Sequence, residues 1–399
     1  MRGYRRARQR QAWSAVLLAG PLLIFLTIIF FIPIGTLLYR SIEGLGVGDV
    51  LPRTAAGLRH WSGPDLPEEA VFAALGADLR EAAGTATLGT TARQLNAFAP
   101  GFRSLLFKTG RGVGAEPPES WKTFLLSIDP QWGDPATWTQ LRLGMAPVTG
   151  GYLLAALDAK MDGAGHVVRA PAEERVYLPA FGRTLLVSGI VTALTFLLGY
   201  PVAYLLATLP EPAGNRLMIF VIIPFWTSLL VRTTAWYVLL QPNGVVNTAL
   251  RSLGLSDTGL PLIFNRTGVL IGMTHILLPY MILANYAVMK GISPSFMRAA
   301  LSLGAHPVIA FVRVYVPLTL PGIAAGTFLV FVLALGYYIT PAMLGGGADA
   351  MISQFIAFQV QNQLNWGLAG ALSLYLVALT TLLYVVFNRL VGVDRLRLG

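Results

Sequence analysis

The sequence predicts an all-α membrane protein, and three observations lead there. Hydrophobic residues fill 55% of the 399 positions and charged residues only 12%, for a mean hydropathy of +0.62. A soluble domain carries about twice that share of charge to cover its surface. Next, apolar runs of about 20 residues, the length that crosses a bilayer, recur along the chain. Finally, the net charge of +10 is unevenly spread. Between Ser41 and Gly182, 12 Lys/Arg face 15 Asp/Glu, whereas the remainder holds 17 basic residues and four acidic ones, Glu211, Asp257, Asp349 and Asp394. A basic excess at the apolar runs and their flanks is the pattern that anchors membrane helices on the cytoplasmic side, and it argues against a nucleic-acid partner.

The first span is Ala12–Tyr39, which has no charge and follows Arg2, Arg5, Arg6, Arg8 and Arg10. A secretory signal shares that basic start. This apolar stretch is too long for one, however, and no small-x-small cleavage site follows, so it reads as an uncleaved helix. Residues 41–182 come next, a segment of domain length with Trp61, Trp121, Trp132 and Trp138. Within it, Pro67–Ala82 has acids in its first turn and apolar residues at helical spacing. A mostly helical external insert is expected, and a long ordered loop lying on the membrane domain is the alternative.

Five further spans are expected at Thr184–Leu209, Leu217–Leu240, Thr267–Met289, Val314–Leu335 and Gly367–Asn388, so residues 183–399 form the membrane core. Six crossings put both ends on one side. The arginine-rich start, the loop carrying Lys290, Arg298 and Arg313, and the tail carrying Arg389, Arg395 and Arg397 all assign that side to the cytoplasm. Arg183, Arg251 and Arg266 fall outside on this count. Met351–Trp366, uncharged and rich in Gln and Asn, reads as a short outer helix.

Several chemistries are excluded. The chain has no cysteine, hence no disulfide, thiol nucleophile or thiolate metal site. His60, His166, His275 and His306 lie too far apart to pair as ligands at helical spacing, and each reads as a structural histidine. No GxxxxGK[ST] loop surrounds any of the lysines Lys108, Lys122, Lys160 and Lys290, so ATP hydrolysis is not expected of this chain. The spans contain no Asp or Glu, which speaks against a proton-coupled carrier.

The loop after the fourth span carries the most information. Ser293 is a cap, Pro294 suits the first helical position, and Gly304 ends a short helix at about 292–306 that includes Ala299, Ala300 and Leu303. Such a helix is either a lever gripped from outside or a plain connector, and the residues alone leave both open.

Ala299-Ala300, then Gly304, then Val314-x-Val316-Pro317 resembles the EAA motif of ABC importer permeases. Ile223–Trp236 (IPFWTSLLVRTTAW) resembles the third-span signature of the spermidine/putrescine-type permeases, and Leu335–Gly346 (LGYYITPAMLGG) is similar to the fifth-span ending of the same group. The resemblance covers the first span and about Arg183–Gly399, not the insert. It implies the type I ABC importer permease fold, with six transmembrane helices and a large periplasmic insert between the first two. It also implies an inner-membrane assembly of two permease subunits, two cytoplasmic ATPases and a periplasmic binding protein. ATP and Mg then belong to the ATPases, and this chain needs no cofactor or metal.

By the same resemblance, a coupling helix with Arg298, Ala299, Ala300, Leu303 and Gly304 docks into a cleft of the ATPase, and Pro317 completes the motif. Arg298 stands where the motif has Glu, which changes the partner surface. Candidate path residues are Trp226, Arg232 and Trp236 on the third span, His275, Asn285 and Tyr286 on the fourth, and Tyr337 and Tyr338 on the fifth. For each, packing or a partner among backbone carbonyls is the ordinary alternative. Some polyamine-type relatives carry an acid in place of Tyr337, although tyrosines still hold an ammonium through their ring faces. The expected solute is therefore polyamine-like, or else an amino acid, an opine derivative or another small organic solute. A passive channel or a secondary carrier would leave the coupling-helix pattern unexplained.

Overall fold

Five helices are long and apolar enough to cross a membrane: Leu18–Tyr39, Tyr177–Thr208, Arg266–Met289, Pro307–Leu335 and Trp366–Arg389. They are counted among the residues that the computed structural model describes, namely 18–61, 63–83, 86–114, 117–162 and 164–391. A bent pair, Glu211–Trp226 and Leu229–Leu239, raises the number to six when taken as one broken span. The basic residues expected to fix the ends, Arg2 to Arg10 together with Arg395 and Arg397, lie outside the described residues.

The expected third span, Leu217–Leu240, is thus not one helix, and its two halves meet at 97°. Pro224 lacks the N–H that would continue the ladder, and Ile223–Trp226 tightens into a 3-10 turn. Thr227 and Ser228 are extended, and the Ser228 hydroxyl accepts from the Val231 amide at 3.2 Å to start the second half. The fifth span begins at Pro307, before the expected Val314, and widens to a π-turn at Phe311–Tyr315. Pro317 has no N–H for the carbonyl of Arg313, and this lost bond accompanies the widening.

One compact unit comprises Val176–Ala357 with Leu376–Gly399. Its core joins the spans Tyr177–Thr208, Arg266–Met289 and Pro307–Leu335 through Val187, Val191, Val269, Met273, Leu277, Met281, Val330 and Ala334. Lipid is as apolar as these side chains, so close approach and polar cross-links decide how such helices associate. Gly322 and Gly326 provide the approach. A Cβ at Gly326 would lie 2.9 Å from Met281 Sδ and 3.1 Å from Asn285 Nδ2. Cross-links come from the Tyr200 and Thr319 hydroxyls at 2.9 Å and those of Thr233 and Thr340 at 3.1 Å.

The three arginines that ran against the charge count have local partners. Arg183 donates to the Ala350 carbonyl at 2.6 Å, Arg251 to that of Pro242 at 3.2 Å, and Arg266 pairs with Asp349 at 3.2 Å. Each thus stays where it is for a local reason. The stretch after the fifth span forms two short helices, Ile339–Leu344 and Ile352–Gln361.

The other unit comprises Met1–Arg175 with Phe358–Tyr375. Helices at Pro52–Leu58, Glu69–Ala82, Ala86–Phe98, Phe102–Gly112, Trp121–Ile128 and Pro135–Met145 enclose a core of their own. Phe72, Leu75, Leu79, Leu95, Leu106, Leu125, Trp132, Trp138 and Leu141 are fully buried in it. The indoles of Trp132 and Trp138 pack 5.2 Å apart and keep their polar handles satisfied, donating to Thr109 Oγ1 and to the Trp132 carbonyl, each at 2.9 Å. Buried Asp78 accepts from both the amide and the hydroxyl of Thr54 at 2.8 Å. A hairpin pairs Ala159–Met161 with Val167–Arg169, strands too short to leave a periodic signal.

Candidate functional site

Two places collect the residues singled out by the sequence. The first is the connector between the fourth and fifth spans. Its regular helix is Ser295–Ser302, shorter than the expected 292–306. The helix starts at Ser295 with Pro294 at the cap position and no side-chain cap bond, one residue later than expected; the Ser293 hydroxyl accepts from the Ser295 amide at 3.3 Å in the turn before it. At the other end Gly304 donates to the Leu301 carbonyl and Ala305 to that of Ala300, with Gly304 at φ +86°. This paired ending is the Schellman arrangement, which calls for a left-handed residue at that place.

The two faces of this connector differ. Ile292 and Met297 pack into a cluster with Leu206, Ile282, Met289 and Tyr315, tying the helix to three spans. Outward, Arg298 and Ala299 are exposed, Ala300 is half-buried, and Leu303 stands 89% exposed. Phe296 and Leu301, which the motif did not flag, are exposed as well. Their signal was present as two more apolar residues on a short helix that has no second helix to cover it. Pro317 is separate from this surface, just past the π-turn of the following span.

The second place lies beside the break in the third span. Trp236 meets His275 edge-to-face at 5.4 Å, and Phe225 meets Tyr280 at 5.0 Å. Arg232 lies close enough for its charge to act on both His275 and Tyr337, and its Nε is buried without a hydrogen-bond partner. A buried guanidinium nitrogen without a partner is costly, which makes Arg232 the polar exception of this group. Tyr280, close to Tyr337, joins this group although the sequence did not single it out. The other candidates are elsewhere. Tyr286 packs in the cluster that holds Ile292 and Met297, Trp226 is 87% exposed at the break, and Tyr338 is exposed. Asn285 is buried; its amide donates to the Met281 carbonyl at 2.9 Å while its Oδ1 has no partner. Among the described residues, no group of three or more His, Asp or Glu is placed to hold a metal ion.

A bundle of apolar spans with an exposed short helix on one connector defines a multi-pass membrane protein. Comparison with known proteins carries this further. The chain belongs to the family described as "Binding-protein-dependent transport system inner membrane component", which matches residues 187–393. It is therefore a multi-pass inner-membrane permease component of the ABC importer type and not an enzyme. It is 33% identical over 214 residues to the "Spermidine/putrescine transport system permease protein PotB" of Salmonella typhimurium (strain SL1344), covering 54% of this chain and 75% of that one. The protein of the same name in Escherichia coli (strain K12) is also 33% identical, with 78% of it covered. The "Inner membrane ABC transporter permease protein YdcU" of Escherichia coli (strain K12) is 32% identical over 230 residues, with 72% covered. Among solved structures, a chain of "a bacterial ABC transporter involved in the import of the acidic polysaccharide alginate" is 19% identical with a TM-score of 0.44, covering 54% of this chain and 79% of that one.

Proposed function

We propose that this chain and a second permease subunit form the membrane path of an importer for a small polar organic solute of polyamine type, delivered by a periplasmic binding protein. One observation carries the proposal: the helix Ser295–Ser302 is pinned through Met297, while Phe296, Leu301 and, just past its end, Leu303 stand exposed. Apolar side chains bared on a short connector suit a protein partner. In this reading two cytoplasmic ATPases, which bind the ATP and Mg, grip the residues around Arg298, Ala299, Ala300, Leu303 and Gly304. Closure of the ATPase pair then pulls on Ile292 and Met297, and through them on the spans at Met289 and Tyr315. Both chain ends are cytoplasmic, residues 41–182 are a periplasmic insert, and residues 183–399 are the permease core.

The polyamine assignment is supported by the names of the PotB relatives. The ring faces of Trp236, Tyr280 and Tyr337 offer seats for an ammonium. A second reading, an amino acid or opine derivative, is favoured by Arg232, whose unpartnered Nε suits a carboxylate. The test is uptake in proteoliposomes carrying both permeases, the ATPase and loaded binding protein. ATP-dependent entry of labelled spermidine or putrescine is expected. ATP hydrolysis by this chain alone, or uptake indifferent to the ATPase, would overturn the reading.

A further inference from the structure

The unit built from Met1–Arg175 and Phe358–Tyr375 contains a cavity of about 730 Å³, within the range of small-molecule sites. Three segments wall it: the turn after the first span, the helix Ala86–Phe98 with the start of the next helix, and the turn leading into the last span. The lining is polar and unevenly charged. Arg40, Arg93 and Arg103 enter it from different segments, against the single acid Glu43, and Gln94, Asn96, Asn362 and Gln363 add side-chain amides.

Arg40, Arg93 and Arg103 join none of the ion pairs among the described residues. Arg40 instead lies over the Trp366 ring at 5.8 Å. Three guanidiniums around one cavity repel one another, and an anion between them relieves that repulsion.

The walls are fixed by the fold and do not depend on a ligand. The Asn96 side chain accepts from the amides of Gly101 and Arg103 at 3.0 and 3.3 Å, which sets the turn that aims Arg103. Gly44 donates to the Pro147 carbonyl at 3.0 Å, and Glu43 bridges to Val148, which anchors the first wall. The Tyr152 ring fills the place a side chain would take at Gly367. Burial first, and the Glu43 carboxylate second, push the Tyr152 hydroxyl above its usual range, so it stays protonated there.

We propose that this cavity is a binding site for a small organic anion bearing two or more acidic groups, held by Arg40, Arg93 and Arg103. Guanidinium forks match carboxylate and phosphate oxygens two at a time, which is why the class is multiply acidic and not merely polar. Glu43 faces a hydroxyl or amino group of the same ligand. The three arginines and Glu43 lie outside residues 187–393, the part matched by the family, whereas the wall at 362–367 lies within it, and the site does not depend on the coupling reading.

The full chain in phosphatidylcholine nanodiscs is titrated with citrate, with inorganic phosphate, acetate and spermidine in parallel, and binding is read by calorimetry. Citrate is expected to bind saturably, with acetate and spermidine at least about tenfold weaker, a difference of about 1.4 kcal/mol. The double variant Arg93→Gln, Arg103→Gln should lower citrate affinity by about tenfold or more, because two charge-assisted pairs are lost. Both side chains are exposed, so its unfolding temperature should match the parent's and exclude misfolding as the cause. Glu43→Gln should tighten citrate binding. A repeat in phosphatidylglycerol discs separates two sources of the same chemistry. Unchanged affinity assigns the site to a soluble acid, and effective competition by this singly acidic headgroup would overturn the requirement for two acidic groups. No saturable binding of citrate or phosphate, equal affinity in the double variant, or tighter binding of spermidine would each overturn the site.

Discussion

Gly304 holds φ +86° with no atom within 4 Å of where a Cβ would stand. A substitution there costs conformation and nothing else, and for a β-branched residue the left-handed region costs about 1–2 kcal/mol or more. Gly304→Val should insert in the membrane normally yet fail to capture the ATPase, whereas Gly304→Asn, which tolerates that region, should retain most of the capture. A pull-down and an uptake assay on both variants decide it, and full transport by Gly304→Val would reduce the loop to a connector. Arg298 is exposed and makes no ion pair among the described residues. Arg298→Ala should therefore change transport far less than Gly304→Val, since exposed charges contribute about 0–1 kcal/mol. Transport lost equally in both would show that this cation is itself a docking contact.

Helices in this chain meet through small residues, and Gly326 shows the consequence. A valine there would press on Met281 and Asn285, which belong to another span and are both buried. Gly326→Val should lower thermal stability in detergent by about 1–3 kcal/mol, the usual penalty for overpacking. A melting curve that matched the parent's would mean these two helices are not held in close contact. The insert offers the opposite experiment. Trp138 is fully buried against Phe72 at 4.6 Å and Trp132. Trp138→Ala should remove about 3–5 kcal/mol from that core and expose residues 41–175 to limited proteolysis. Cleavage confined to the spans instead would contradict an independent core in the insert.

Charge and length govern the molecule as a whole. Alkaline phosphatase fused within residues 41–182 should be active, and fused at the carboxyl end it should be silent. The reverse pattern would invert the proposed topology. Much of the architecture was legible for this reason. Apolar runs near 20 residues have few alternatives in lipid, and the spans fell close to their expected places. The break in the third span was not read, even though Pro224 and Ser228 were visible. A proline leaves the choice between a kink and a 97° turn to whatever packs around it, here Phe225 on Tyr280 and Thr233 on Thr340.

The candidate sites divide along the same line. The connector after the fourth span was readable because its geometry is local: a serine and a proline before the helix and a left-handed glycine at its end are set by residues a few positions apart. Residues 232, 236, 275, 280 and 337 come together only once three segments have packed, so Tyr280 was missed, and Tyr286 takes the packing role that was its ordinary alternative. The arginine-lined cavity is the extreme case. Its walls come from positions 40 to 46, 90 to 103, 152 and 362 to 367, and no pattern along the chain joins them. Hydrophobicity and backbone chemistry act between near neighbours and are written in order. The convergence of side chains from distant segments is a property of packing, and it exists only in the folded chain.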